Sequence, residues 1–167
     1  MVPVRLGVGR EREVSASSVV LLPHAPASVV AARWHIGVHL REAGIVTPAI
    51  GDATLVVSEL LTNAIRHARP LPGARVLVAW ALRERSLEVA VSDGGSTTRP
   101  RTAQPSLSSI GGRGLAIVEH LSCRWGVLTS DFGLTVWAIL PAPSPGRPAG
   151  SRGGYRGDAA GLARQQA

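Results

Sequence analysis

The chain has 167 residues and a formal net charge of +7 at neutral pH. All of this positive charge comes from arginine, because the sequence contains no lysine. The absence of lysine excludes P-loop and eukaryotic-type protein kinase sites, since both use a lysine on the phosphates. The arginines are scattered with few aromatic residues between them, so we do not expect nucleic acid as the main partner.

The hydropathy pattern predicts one cytoplasmic domain without a membrane span. The longest apolar runs have the length of strands, and the N-terminus lacks an apolar core followed by a cleavage site. Residues 1–13 are basic and are expected to be poorly ordered. Residues 141–167 are dominated by Pro, Gly, Ala, Ser and Arg, which predicts a disordered basic tail. The domain is therefore expected to span residues 14–140.

Strand and helix signals follow one another along this domain. The predicted elements are a strand at Val14–Leu22, a helix at Ala27–Ala43, a helix with Thr47 as N-cap, strands at Ala74–Leu82 and Ser86–Ser92 forming a hairpin, a helix at Ala116–Leu121, and strands at Arg124–Thr129 and Leu134–Leu140.

Three residues invite a metal or thiol interpretation that the pattern does not favour. His35 and His39 lie four residues apart, but no acidic residue stands between them as in a zinc metalloprotease helix. We expect this pair to be packed or solvated. Cys123 lies in a predicted strand and is expected to be a small buried apolar group.

The helix that ends near Ala68 carries the most informative pattern. Its apolar residues share one face, whereas Glu59 and Asn63 lie one turn apart on the other. A carboxamide oxygen is a suitable ligand for Mg²⁺, and a carboxylate beside it can accept a proton. The alternative is an ordinary solvated face of an amphipathic helix. The apolar face consists of Val57, Leu60, Leu61, Ala64, Ile65 and Ala68.

Two glycine-containing segments follow this helix. The first, Asp93-Gly94-Gly95, comes at the end of a predicted strand and precedes a long polar stretch over residues 96–111. Such a stretch is typical of a lid, a binding loop or a disordered segment. The second runs from Gly111 through Arg113 to Leu115 directly into a helix. Glycines at a helix N-terminus allow backbone N–H groups to approach an anion, and Arg113 adds a phosphate donor.

The order of these motifs resembles the GHKL ATPase superfamily, in which an N box precedes two glycine boxes. Within it, the chain is similar to the small bacterial anti-sigma factor serine/threonine kinases over residues 14–140. The resemblance implies an α+β fold, a two-layer α/β sandwich of the Bergerat type. Its sheet would be mixed but largely antiparallel, with about three helices on one face.

The resemblance also implies roles for individual residues. Glu59 would be the general base, Asn63 would bind Mg²⁺, and Asp93 would accept the adenine amino group. Gly95 would allow close approach to the base. A further glycine expected two positions later is replaced by Thr97. The residues implied to wrap the phosphates are Gly112, Arg113, Gly114 and Leu115.

Two functions remain open from the sequence. The resemblance implies a protein kinase that uses ATP and Mg²⁺, phosphorylates an anti-anti-sigma antagonist and regulates a sigma factor by partner switching. It also suggests that the protein is a homodimer. The alternative is a non-catalytic ATP-dependent binding module of the same fold. A sensor histidine kinase fits poorly, because the length leaves no room for a dimerising helical hairpin with a phosphoacceptor histidine.

Overall fold

A computed structural model of the protein describes residues 14–83, 85–95, 112–131 and 133–143. The elements within these ranges are β1 Val14–Pro23, α1 Ala27–Glu42, α2 Thr47–His67, β2 Arg75–Arg83, β3 Ser86–Asp93, α3 Gly112–Leu121, β4 Arg124–Ser130 and β5 Gly133–Pro141. All the predicted strands and helices are confirmed in type and order. The predicted lid, Thr97, the N-terminal segment and residues 144–167 lie outside the described ranges.

The five strands form one sheet in the order β1-β2-β3-β5-β4. Every neighbouring pair is antiparallel, including the predicted β2–β3 hairpin. The mixed sheet implied by the resemblance is therefore antiparallel throughout its described part. Because β4 lies at the edge and β5 next to β3, the end of β3 is flanked by the β4–β5 turn.

The core lies between the sheet and the three helices of the described chain. Alternate residues of β2 and β3 point into it, as expected for strands with one covered face. The apolar face of α2 packs against these residues, with Val57 and Leu61 fully buried. The fold is thus the predicted two-layer α+β sandwich. The sheet residues of this core are Val76, Val78, Trp80, Leu82, Leu87, Val89 and Val91.

Several boundaries differ from the sequence-based expectation. Val46 is the N-cap of α2, and Thr47 is its first helical residue. Cys123 is exposed in the bend between α3 and β4, so its prediction as a buried strand residue was wrong. Ala142 is buried, and its N–H donates to the carbonyl of Arg85 at 2.8 Å, so packing continues past Leu140.

Within the described ranges, no helix combines the length and apolar character needed to cross a bilayer.

Candidate functional site

Glu59 and Asn63 lie on the side of α2 that meets the start of α3. A Cβ atom built on Gly114 would lie 2.5 Å from Oε2 of Glu59 and 3.6 Å from Nδ2 of Asn63. Only glycine fits at this position without displacing the carboxylate. The fold therefore brings the Glu-x-x-x-Asn pattern and the second glycine segment into direct contact.

Helix α3 begins at Gly112, so the glycines belong to its first turn rather than to a separate entry loop. The N-terminal turn of a helix has unpaired backbone N–H groups and a partial positive charge. Leu115 is almost fully buried and belongs to the hydrophobic core. Its side chain therefore anchors α3, and only its backbone can face a phosphate. The side chain of Arg113 lies outside the described part of the chain.

Asn63 carries an unsatisfied polar atom. Its amide nitrogen Nδ2 is buried and has no hydrogen-bond partner among the described residues. A buried amide without a partner costs about 1–3 kcal/mol. Rotating the amide by half a turn would present Oδ1 at the same place, so Asn63 can offer an oxygen to a cation or an N–H to a phosphate. This property fits a site for Mg²⁺ and a nucleotide.

Asp93 is the last residue of β3 and is only 4% exposed. Its Oδ1 accepts a hydrogen bond from the N–H of Gly95 at 2.8 Å. Burial raises the pKa of Asp93, and the Gly95 N–H and the nearby His24 act in the opposite direction. The Gly95 N–H occupies only part of the hydrogen-bonding capacity of this buried carboxylate, so it can also accept a hydrogen bond from a ligand N–H group.

The backbone after Asp93 is fixed against the loop that follows α2. The N–H of Gly94 donates to the carbonyl of Arg69, and the N–H of Arg69 donates to the carbonyl of Gly95, both at 2.8 Å. A Cβ on Gly94 would overlap the carbonyl oxygen of Pro70. These contacts hold Asp93 beside the C-terminal end of α2, one turn beyond Asn63.

The turn between β4 and β5 packs against the backbone of Asp93 and Gly94. A Cβ on Gly133 would overlap the carbonyl oxygen of Asp93. Gly95 has a φ of 76°, in the region that favours glycine, and a Cβ there would lie 3.9 Å from Cα of Gly133. Glycines therefore occupy both sides of the Asp93 backbone.

The structure thus brings Glu59, Asn63 and Gly114 together, and it positions Asp93 and Gly95 next to the end of the same helix. The sequence did not point to Gly94, His24 or Gly133 as parts of this arrangement. The adjacent glycines in Gly94-Gly95 were a signal for Gly94. No local sequence pattern linked His24 or Gly133 to the site, because their contacts are with residues about 40 positions away.

The histidine kinase-like ATPase domain model matches residues 22–140, which include all of these residues. The chain belongs to this family. Over 112 residues it is 32% identical to the serine-protein kinase RsbW of Listeria monocytogenes, covering 60% of this chain and 71% of the relative. The serine-protein kinase RsbW of Listeria innocua has the same identity and coverage.

A solved structure supports the fold. A crystal structure of the RsbU and RsbW domains of Rv1364c from Mycobacterium tuberculosis superimposes with a TM-score of 0.59 and 19% identity. The match covers 78% of this chain and 33% of that one. The family model and the Listeria relatives confirm the GHKL resemblance, and the solved structure confirms the sandwich fold.

Proposed function

We propose that this protein is an ATP-dependent serine/threonine protein kinase of the anti-sigma factor type, acting in the cytoplasm. The observation that carries the proposal is the contact of Glu59 and Asn63 with the first turn of α3 at Gly114. It joins a candidate base, a candidate metal ligand and a candidate phosphate cradle. The Listeria relatives, which are named serine-protein kinases, support the same activity.

Each part of the site has a role in the proposed reaction. The first turn of α3 binds the phosphates through backbone N–H groups, and Asp93 accepts the adenine amino group. Asn63 is the protein ligand of Mg²⁺, which when bound neutralises phosphate charge. Glu59 takes the proton of the acceptor hydroxyl while that oxygen bonds to the γ-phosphorus and the bond to the β-phosphate oxygen breaks, leaving ADP.

We further propose that the acceptor hydroxyl belongs to an anti-anti-sigma antagonist. Phosphorylation would release that antagonist, so that the kinase can bind and sequester a sigma factor. This part of the proposal rests on the similarity to anti-sigma factor kinases.

The variant Glu59→Gln tests the kinase proposal. The amide cannot accept the proton, so transfer should fall about 10²- to 10⁴-fold while ATP affinity is kept. Transfer is measured with γ-labelled ATP and a panel of purified anti-anti-sigma domain proteins from the same organism. Glu119→Gln, on the exposed side of α3, is the matched control with the same change in charge.

Two results would contradict the proposal. Equal transfer by Glu59→Gln and wild-type protein would remove Glu59 as the base. Magnesium-dependent ATP binding without transfer to any member of the panel would favour the non-catalytic binding module.

A further inference from the structure

His24 connects three elements at one end of the sheet. It directly follows β1, and its backbone N–H donates to the carbonyl of Ala74, just before β2, at 2.9 Å. Its imidazole Nε2 lies 3.1 Å from the carbonyl oxygen of Ala64 in α2. A carbonyl oxygen can only accept, so Nε2 carries the proton and donates it.

The acceptor of this bond lies beside the candidate metal ligand. Ala64 follows Asn63 directly, and its carbonyl also accepts the N–H of Ala68 at 3.0 Å. His24 is therefore a second donor to a carbonyl in the last turn of α2. The hydrogen bond fixes the distance between that turn and the end of the sheet.

Asp93 lies at the same end of the sheet and on the same face. Leu22 pairs with Val76, and both point into the core below α2. On the next pair of strands, Leu77 of β2 pairs with Ser92 of β3. Asp93 is therefore one residue closer than Ser92 to the end of the sheet at which His24 follows β1. Burial raises the pKa of Asp93, and His24 is near enough for its charge to offset part of that rise.

We propose that His24 is a positioning residue for recognition of the adenine base, holding the last turn of α2 at the distance from the sheet at which the carboxylate of Asp93 meets a 6-amino group. This inference rests on the proposed nucleotide site. His24 is not itself expected to touch the nucleotide. Its effect is expected on base discrimination rather than on phosphate binding, since Gly114 of α3 approaches the side chains of Glu59 and Asn63, whereas His24 bonds to a backbone carbonyl in the last turn of α2.

The comparison of ATP with inosine triphosphate isolates this effect. Inosine triphosphate has the same phosphates but a carbonyl in place of the 6-amino group, so its position 6 cannot donate to Asp93 as that of ATP does. Calorimetry with Mg²⁺ gives both dissociation constants for wild-type protein, His24→Ala and His24→Gln. His35→Ala, a half-buried histidine on α1, is the matched control, and thermal melting reports the folded state of every variant.

The expected results differ between the variants. His24→Ala should reduce the preference for ATP over inosine triphosphate about tenfold, which corresponds to about 1.4 kcal/mol. His24→Gln should retain most of the preference, because its amide N–H can donate to the carbonyl of Ala64. His35→Ala should leave the preference unchanged.

Other results would overturn the inference. If His24→Ala and His24→Gln melt below wild type but keep the full preference, His24 is only a structural tie. If both nucleotides weaken equally in His24→Ala, it does not act on base recognition. Failure of wild-type protein to bind either nucleotide would instead overturn the proposed site and, with it, the role of His24.

Discussion

Two regions of the molecule bury polar groups between a helix and the sheet, and they differ in how those groups are paired. In the α1 groove, Nε1 of the buried Trp80 donates to Nδ1 of His39 at 3.0 Å. The second region is the candidate site formed by Glu59, Asn63, Gly114, Asp93 and Gly95, called here the α2–α3 site. In it, Nδ2 of Asn63 has no described partner, and burial raises the pKa of Asp93. The groove residues are Ser18, Trp34, His35, Val38, His39, Glu42 and Trp80.

Whether buried polar groups are paired distinguishes the two regions better than the presence of a groove does. The α1 groove has a volume of about 250 Å³ and contains none of the candidate site residues. Its buried hydrogen bond is complete, as is usual where polar groups stabilise a fold. In the α2–α3 site, Nδ2 of Asn63 is unsatisfied, which is costly unless a ligand pairs with it. Among the described residues, the buried side-chain atoms without a partner are Nδ2 of Asn63, in the candidate site, and Oγ of Ser122, directly after α3.

The largest expected effect is that of Asn63→Ala. Removing the proposed metal ligand should abolish magnesium-dependent ATP binding in calorimetry. The melting temperature should not fall below that of the control Thr62→Ala, because the deleted amide was unsatisfied. ATP affinity equal to wild type would exclude the magnesium role of Asn63. A large loss of thermal stability would show that the amide is paired in the folded protein.

The next effect is that of Asp93→Asn, which should weaken ATP binding about 10- to 100-fold, as expected for loss of a hydrogen bond to a charged group. Because burial raises the pKa of Asp93, its ionised form destabilises the fold. The stability given by the protonated carboxyl is complete below the unfolded pKa and is lost as pH rises through the folded pKa. Asp93→Asn should therefore melt above wild type at pH 7.

This advantage of Asp93→Asn should shrink as the pH is lowered toward the pKa of the carboxyl in the unfolded chain. Melting curves between pH 4 and pH 8, taken near the reference pKa of about 3.9 and above it, measure the trend. We interpret Asp93 as a functional carboxylate whose ionised form lowers the stability of the fold. If Asp93→Asn is less stable than wild type at pH 7, this interpretation is wrong.

In the α1 groove the opposite pattern is expected. His39→Leu leaves the buried N–H of Trp80 without an acceptor, which should lower the free energy of unfolding by about 1–3 kcal/mol. ATP affinity should not change. His39→Asn is the matched variant, since its side-chain oxygen can accept in place of Nδ1. Loss of ATP binding in His39→Leu, measured on folded protein, would remove the distinction between the two regions.

The smallest effect is expected for Glu88→Gln. Glu88 is a second buried carboxylate of β3, and burial raises its pKa while Arg83 lowers it. Its Oε2 lies 3.6 Å from Nε of Arg83. Because this carboxylate is already paired with a cation, Glu88→Gln should change the free energy of unfolding by no more than about 1 kcal/mol, measured by thermal melting. ATP affinity should be unchanged. A change in ATP affinity equal to that of Asp93→Asn would contradict this.

Local pattern was sufficient to predict most of the fold. The helical period over Leu55–Ala68 identified both the buried face and the side that carries Glu59 and Asn63. The β2–β3 hairpin followed from two apolar runs of strand length joined by a short polar link. These signals depend on residues within a few positions of each other, so they can be read directly from the sequence.

Features set by tertiary contact could not be predicted in this way. The acceptor of His24 is a backbone carbonyl 40 residues away, and the oxygen that Gly133 approaches belongs to Asp93. A backbone carbonyl leaves no mark on the sequence. Cys123 was wrongly predicted as buried, because the chain bends there before β4 begins. The contact between Gly114 and Glu59 likewise depends on the packing of α3 against α2.

A nucleotide and a magnesium ion are expected to pair with the unsatisfied amide of Asn63 and the buried carboxylate of Asp93. Titration of the wild-type protein with ATP in a calorimeter, first with Mg²⁺ and then with EDTA, tests it most directly. We expect saturable binding that depends on Mg²⁺. Absence of binding at millimolar ATP, or identical binding in EDTA, would contradict it.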